Sequence, residues 1–597
     1  MISKMKKLLL GGKASEKEKI LEVLREAGVV HVDAAVPEKV SVPASLNDEL
    51  QKCNRAIMEL SQIECLSDED KIETPGKPKR LIEETLEHVS ALSKLKDKVI
   101  ALKKEFEETK VWGPLGLKDL NFLKNSGLNI VFSKGSKEHM NEIKGEFVNT
   151  VYCKDSVCVF IAVSRSAIEI PEQLTVIEAP KREATQVADE IKACEKTISD
   201  HSHALQCLKL RFSDIKAHYT KLINQKRFAE VESGLMSDEE VFVLTGWCPE
   251  KKTAALTEAL EKAQVRVATH FDEAGDDETP PTYLDNPAYS SSVNPLYEFM
   301  GLTPSYNEPD ASFLFLSTLI IFSGFLVADA GYGAIIALPL LFGYKKLKER
   351  GFDEKFLRLA IFLFGGATVY GAITNSWFGG SLFNTGFNPE SADGSFLLQA
   401  LCFLMGAIHL TIAHVIKIKR KKIDLSVLGE IGWIIFLWGM YGMICKLVAG
   451  RDFILPGTQE FTILGSTSTL TVWLFKVSLS MILFFTAPSF NVFKMLGAGI
   501  GSLLTNASAA FSDILSYIRL WAVGLAGGKV AVAFNEIGAM LPLYAQIPVL
   551  IAGHGLNIIL CVIAILAHGV RLNLLEFSNH LELDWAGREY DPFKKIN

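Results

Sequence analysis

FSDILSYIRLWAVGLAGGKVAVAF, residues 511–534, decides how the rest of the chain is read. It lies in an apolar region long enough to cross a bilayer, and Arg519 stands near its middle. A charge at the bilayer centre costs about 2.5–3.5 kcal/mol on insertion scales, so such residues usually have a function. A second arginine, Arg571, follows in the next apolar segment, AILAHGVRLNLLEF (564–577). Arginines of this kind can also snorkel to a headgroup or neutralise a buried acid of their own chain. Snorkelling suits Arg571, a turn or two from its helix end, better than Arg519, which is too deep.

Outward from this stretch the chain divides in two. Its 597 residues, 49% hydrophobic and 22% charged, imply more than one domain. Residues 1–310 are charge-rich and residues 311–580 carry long apolar runs. The first apolar run, LLLGG at 8–12, is too short for a secretory signal, so the N-terminal half is expected in the cytoplasm. The net charge of −7, without a basic patch, gives no sign of nucleic-acid binding. The ten cysteines contain no CxxC pair. Cys153 and Cys158 fall at opposite ends of a hairpin strand pair, and all ten read as reduced and structural.

In the soluble half, residues 5–43 read as strand, helix, strand, and residues 240–272 repeat the pattern; the two half-units can pair into one α/β lobe. Between them runs a helical hairpin. Ala184, Val187, Ile191, Cys194, Ile198, His201, Leu205, Leu208, Phe212, Ile215, Tyr219 and Leu222 keep an alternating 3–4 spacing, a coiled-coil pattern. Leu92, Leu95, Val99, Leu102 and Phe106 form the outgoing arm, interrupted upstream by TPGKPKR at 74–80. His201 reads as a packed histidine. Residues 111–179, opening on WGPLG, read as a second small α/β lobe at the tip. No phosphate loop, nucleophile elbow or metal-ligand spacing occurs here, so this half reads as an arm for partners.

The expected boundaries are 1–45 with 235–305 for a proximal lobe, 46–110 with 180–234 for the coiled coil, 111–179 for a distal lobe and 306–597 for a membrane domain. The fold class is an α+β dumbbell followed by an all-α membrane domain.

SYIRLWAVGLA (516–526) and HGVRLNLLEF (568–577) resemble the last two membrane helices of the large membrane stator subunit of V/A-type rotary ATPases, called subunit a or I. LTGWCPEKK (244–252), PPTYLDNP (280–287), GLTPSYNEPD (301–310) and DAGYG (329–333) resemble further motifs of that family. The resemblance implies a non-catalytic subunit without a cofactor. Arg519 would face the ion-binding carboxylates of a rotor c/K ring and the arm would anchor peripheral-stalk E/G subunits, beside a C/d-type subunit of the central stalk. It also implies a bacterial or archaeal-type complex in the cell membrane, moving H⁺ or Na⁺. The sequence departs from many eukaryotic relatives at Gly527–Lys529, where those have a histidine and a glutamine, and at Cys561, where they have an acid. The outer ion path must therefore be built differently. A stand-alone secondary transporter is the competing reading; transporters usually carry an internal repeat of membrane segments, and none is visible here.

Seven apolar segments are visible: 312–344, 356–378, 396–417, 425–449, 469–487, about 500–540 and about 548–579. The basic loops KKLKER (345–350) and KIKRKK (417–422) both fall on the cytoplasmic side only if 312–344 crosses twice, turning at Ala328–Gly333. Each half is then about 16 residues, or roughly 24 Å of helix, short for a bilayer of about 30 Å. Eight helices with both termini cytoplasmic are expected.

A fixed positive charge opposite a ring carboxylate favours its ionised form and blocks a straight ion path. Arginine keeps its proton where a buried lysine can lose it. Arg519 and Arg571 are assigned to ion translocation. Ser512, Ser516 and Arg519, at i, i+4, i+7, share a helical face. The candidate half-channel lining is Ser512, Ser516, Asn535, Glu536, His554, His568, Glu576 and Asp329, with Glu536 and His554 outward and Glu576 inward. Asp329 also suits a helix cap. Arg519 is expected to find its partner on another chain.

Overall fold

The computed structural model describes residues 2–33, 40–63, 77–110, 117–154, 157–171, 173–178, 182–238, 240–275, 277–382, 391–421, 424–463, 466–488 and 491–596. The chain starts with β1 (Met5–Lys13), α1 (Lys17–Ala27) and β2 (His31–Asp33). The arm helices follow, α2 (Ala44–Ser61) and α3 (Pro78–Lys110). Next come α4 (Leu117–Asn125), β3 (Asn129–Gly135), β4 (Phe147–Lys154), β5 (Val157–Ser164) and β6 (Thr175–Ile177). The return is α5 (Ala184–Lys209), α6 (Phe212–Ser233), β7 (Met236–Ser237), β8 (Val241–Pro249), α7 (Thr253–Lys262) and β9 (Val267–Glu273).

β1 pairs antiparallel with β8, from Met5↔Pro249 to Lys13↔Val241, and with β9 on its other edge, giving a sheet β2-β8-β1-β9 with β7 added on β8. Strand alternation turns Leu8 and Leu10 inward and leaves Leu9 45% exposed. The inward residues pack with Ile20, Leu21 and Leu24 of α1, Phe242 and Leu244 of β8, and Leu256 and Leu260 of α7. Gly246 is needed where β8 meets β2: a Cβ there would collide with the His31 carbonyl oxygen. The second sheet has the order β4-β5-β3-β6. The WGPLG stretch lies outside the described residues.

The cysteine reading is corrected in this second sheet. Cys153 and Cys158 are direct partners in the β4–β5 register, with Cα atoms 4.1 Å apart, and are disulfide-bonded. Cross-strand pairs bring Cβ atoms within bridging distance, which a spacing of five residues alone did not reveal.

In the arm, Val99 and Leu102 of α3 pack with Val187, Ile191 and Cys194 of α5, as the spacing predicts. His201 meets His88 of α3, Nδ1 to Nδ1 at 2.7 Å. The return arm is not one helix. It yields at Leu210–Arg211, and Ile215 and Leu222 of α6 then pack on Cys53, Ala56 and Leu60 of α2.

After α8 (Asn294–Met300) comes the apolar half: α9 (Ser312–Val327), α10 (Ala330–Glu349), α11 (Glu354–Ile373), α12 (Ala392–Arg420), α13 (Ser426–Ile444), α14 (Leu470–Phe485), α15 (Val492–Ser516), α16 (Ile518–Ala539) and α17 (Leu543–Ala564). α17 continues through π-helical turns Ile565–Gly569 and Leu572–Phe577 into α18 (Ser578–Leu581). Among the described residues, five helical stretches are long and apolar enough to cross a membrane, and α9 and α14 are shorter apolar helices. α15 and α16 form one such stretch of 48 residues, and Leu543–Leu581 another of 39. At 1.5 Å per residue these are about 72 and 58 Å long, well beyond the about 30 Å of a bilayer's hydrocarbon. One core joins α9–α11 to α16 and α17, and a second joins α12–α14 to α15. The long helix runs through both. It breaks at Tyr517, whose ring lies over Gly406 of α12, where a Cβ would come within 2.7 Å.

The chain's end departs from the expected boundary at 306–597. It leaves the helices after Leu581 and further on is stitched to the first lobe. Phe593 N–H donates to the Val30 carbonyl, Tyr590 Oη to the Val29 carbonyl, and Arg588 accepts at its carbonyl from Thr282. Ile596 and Asn224 exchange two hydrogen bonds, and Arg588 and Arg227 pair with Asp33 and Asp591. Phe593, 4% exposed, completes the core of the first lobe. The apolar pattern ends before this tail, which is why its destination was not legible.

His31 Nδ1 accepts from the Asp591 N–H at 3.0 Å, and burial, with Arg588 beside it, holds His31 below the usual histidine range. Protonation would replace this acceptor with a donor. A histidine with a lowered folded pKa contributes stability that is full above about pH 6.5 and is lost as pH falls. The soluble half of the purified protein is therefore expected to melt at lower temperature at pH 5.5 than at pH 7.5, and His31→Gln, which keeps an acceptor but does not titrate, is expected to reduce that difference. Equal pH dependence in both proteins would refute the role of His31.

Candidate functional site

The end of α9 and the start of α10 form a turn on the side away from the arm. Ala328 takes a left-handed backbone (φ 50°), and Asp329, 1% exposed, caps α10 by accepting from Tyr332 N–H. Asp329 also accepts from Ser376 Oγ, Phe378 N–H and Gly379 N–H, each at 2.9 Å. Its oxygens are thus committed to pinning the loop after α11, which favours a capping role over ion conduction.

Beside this turn is a polar cluster. Tyr332 Oη lies 2.7 Å from His554 Nδ1, and His554 Nε2 lies 3.1 Å from Asn535 Oδ1. Asn557 donates to Tyr332 Oη and to the Gly527 carbonyl, and Asn535 donates to the Phe378 carbonyl. Two sequence-assigned residues, Asn535 and His554, therefore meet here. Glu536, next along α16, is exposed.

Arg519 lies in the first turn of α16. Its Nη2 is 3.7 Å from Glu576 Oε1, and Arg571 Nε approaches the same oxygen at 3.9 Å. The Glu576 side chain is 4% exposed, that of Arg519 23% and that of Arg571 52%. The expectation that Arg519 finds its partner only on another chain is corrected here. The π-helical turns of 565–577 change the angular positions of the residues beyond them, and Glu576 comes into reach of both arginines. At 3.7 Å the contact is an ion pair without a hydrogen bond, and the buried Arg519 Nη1 has no hydrogen-bond partner among the described residues. His568 lies within electrostatic range of both arginines. Ser512 and Ser516 end up on α15, across the break at Tyr517 from Arg519, and Ser512 is exposed.

A further cluster, which sequence reasoning missed, lies at the arm side. Glu430 Oε2 of α13 is 2.7 Å from His414 Nδ1 of α12; His414 Nε2 is 3.1 Å from His580 Nδ1, and His580 Nε2 is 3.1 Å from Asp513 Oδ2. Lys417 and Lys421 pair with Glu430, and Lys417 with Glu582. These groups line a cavity of about 430 Å³. Histidines and an acid inside the apolar helices α12 and α13 were the available signal, but nothing in their spacing pairs them with residues 580 and 513.

No family model matches the chain. The V-type ATP synthase subunit I of Borreliella burgdorferi is 28% identical over 629 residues, covering 100% of both chains. Subunit I 1 of Treponema pallidum is 26% identical, again over 100% of both. The chain is similar over its whole length to V-type ATP synthase subunit I. The A-type ATP synthase subunit I of Methanocaldococcus jannaschii is 22% identical, over 85% of this chain and 81% of its own. The cytoplasmic N-terminal domain of a subunit I, a homologue of V-ATPase subunit a, aligns at TM-score 0.21 and 14% identity, covering 45% of this chain and 99% of that one. The resemblance to subunit I read from motifs in both halves extends, in the Borreliella and Treponema relatives, to the whole chain.

Proposed function

We propose that the chain is a non-catalytic stator subunit of a V/A-type rotary ATPase, forming the ion path against a ring of carboxylates. The observation that carries this is Arg519: a cation partly buried among apolar helices, loosely paired with Glu576 and holding one donor nitrogen that has no hydrogen-bond partner among the described residues. A guanidinium with donors to spare can engage a second carboxylate while leaning on the first. When a neutral ring carboxylate arrives, the positive field favours loss of its ion, and Arg519 shifts from Glu576 towards the new anion. Glu576 keeps the arginine charge compensated between visits, and Arg571 keeps Glu576 from being left alone. The Tyr332–His554–Asn535 cluster is the outer half-channel and the Glu430–Asp513 cavity the inner one.

The same reading gives eight membrane crossings, with both termini and both basic loops cytoplasmic, and bilayer lipid around them. The two lobes and coiled coil form the arm that anchors peripheral-stalk subunits, its distal lobe at 111–179 doing the docking, while the proximal lobe lies towards the central stalk. A cysteine at 391 and one at 421 are expected to react with a membrane-impermeant label from opposite faces, 421 from the cytoplasmic one; labelling from one face would refute this topology.

Arg519→Ala in the reconstituted complex is expected to abolish ATP-driven ion transport. Because the change leaves Glu576 under-compensated, the companion Arg519→Ala/Glu576→Gln variant is needed as a folding control. Both should assemble and neither should transport, while Arg519→Lys should transport poorly. Near-normal coupled transport with alanine at 519 would make the arginine structural.

A further inference from the structure

We infer that His409 is a positioning residue for the Arg519–Glu576 pair, holding the two helices in the register at which the charges meet. The inference rests on the ion path proposed above and adds a residue that acts through Arg519 and Glu576 without touching either. His409 stands on α12, which carries neither charge. Its Nδ1 lies 2.8 Å from Tyr517 Oη. Its ring stacks on that of Phe577, with centroids 4.3 Å apart and planes 5° from parallel. Tyr517 comes two residues before Arg519, and Phe577 directly follows Glu576. One side chain thus holds the residue beside each partner of the ion pair.

Both contacts fall where the helices are irregular. At the break between α15 and α16, Tyr517 N–H donates to the Ile514 carbonyl and Leu520 N–H to the Tyr517 carbonyl, the i→i+3 bonds of a tightened turn. Phe577 closes the π-helical turn that carries Glu576. Regular 3.6-residue winding does not aim the side chains here, so tertiary contacts must. Those contacts are dry and close. His409 is 2% exposed, and Tyr517, Phe577 and Phe322 are wholly buried. Phe322 of α9 meets the His409 and Tyr517 rings edge-on, at 5.6 and 5.9 Å. Gly406, one turn before His409 on the same face of α12, gives the Tyr517 ring room to lie against the helix.

A core that needed only packing would take a phenylalanine at 409. A buried imidazole costs free energy unless its nitrogens are bonded, and His409 Nε2 has no hydrogen-bond partner among the described residues. The histidine supplies what an apolar ring would not: a directional bond to Tyr517 together with the stack on Phe577. The Arg519–Glu576 contact of 3.7 Å depends on the register these two contacts fix. A misplacement of about 1 Å at a reacting group can cost about 10²-fold in rate.

The test uses the complex reconstituted in vesicles, with ATP-driven cation transport per assembled complex and the melting temperature of the complex measured together. His409→Phe keeps a ring on Phe577 and removes the nitrogen that meets Tyr517; Tyr517→Phe keeps its ring and removes the hydroxyl. Each is expected to assemble and to lower transport per assembled complex about tenfold, the cost of a shift below 1 Å. The double variant is expected to transport no worse than the poorer single one, because both changes remove the same bond. If His409→Phe does not assemble, Tyr517→Phe alone decides. Wild-type transport per assembled complex in Tyr517→Phe, even with a lowered melting temperature, would make the contact merely structural and overturn the inference, as would losses that multiply in the double variant. If Arg519→Ala transports normally, the ion-path reading beneath it fails instead.

Discussion

The structure depends on keeping an arginine charged inside apolar helices without leaving it uncompensated. Removing a charge from water costs several kcal/mol unless a partner is close, and Glu576, itself almost fully buried, is that partner. The geometry is poor for a static ion pair: 3.7 Å, and one guanidinium nitrogen without a hydrogen-bond partner among the described residues. A tight bidentate pair would be more stable and less free to exchange. The long helix bearing Arg519 yields at Tyr517, just before it, and the helix bearing Glu576 winds as π turns. Both irregularities sit where the charges meet, as irregular helix geometry at functional sites often does.

Much of this was legible in the sequence, for identifiable reasons. The heptads of α3 and α5 and the alternation of Leu8, Leu9 and Leu10 are local periodicities that burial enforces directly. Arg519 and Arg571 stood out because charge is rare in apolar runs. The pairings of His554 with Asn535 and of His414 with Glu430 were not legible, because spacing does not say which faces of two consecutive helices meet, and His414 meets His580 across 166 residues of sequence. The Arg519–Glu576 contact was missed for a different reason: regular 3.6-residue winding does not describe 565–577. Asp329 was read as either cap or channel, and its four hydrogen bonds weigh towards the cap.

The tail connects the two halves. Its final residues fill the core of the N-terminal lobe through Phe593, so that lobe is completed only when the last residues of the chain are in place. A second attachment of the lobe to the end of α18, beyond the covalent link at 274–311, stiffens that joint. Cavity, arginine pair and strap all lie along the helix that begins at Leu543 and its continuation to the C-terminus.

The central claim is that this chain works beside a ring of carboxylates supplied by another protein. Purifying it from its native membranes in mild detergent, and identifying by mass spectrometry what accompanies it, tests that claim most directly. The account predicts a small hydrophobic ring protein together with soluble ATPase subunits; a chain that purifies alone, yet still moves ions in vesicles, would contradict it.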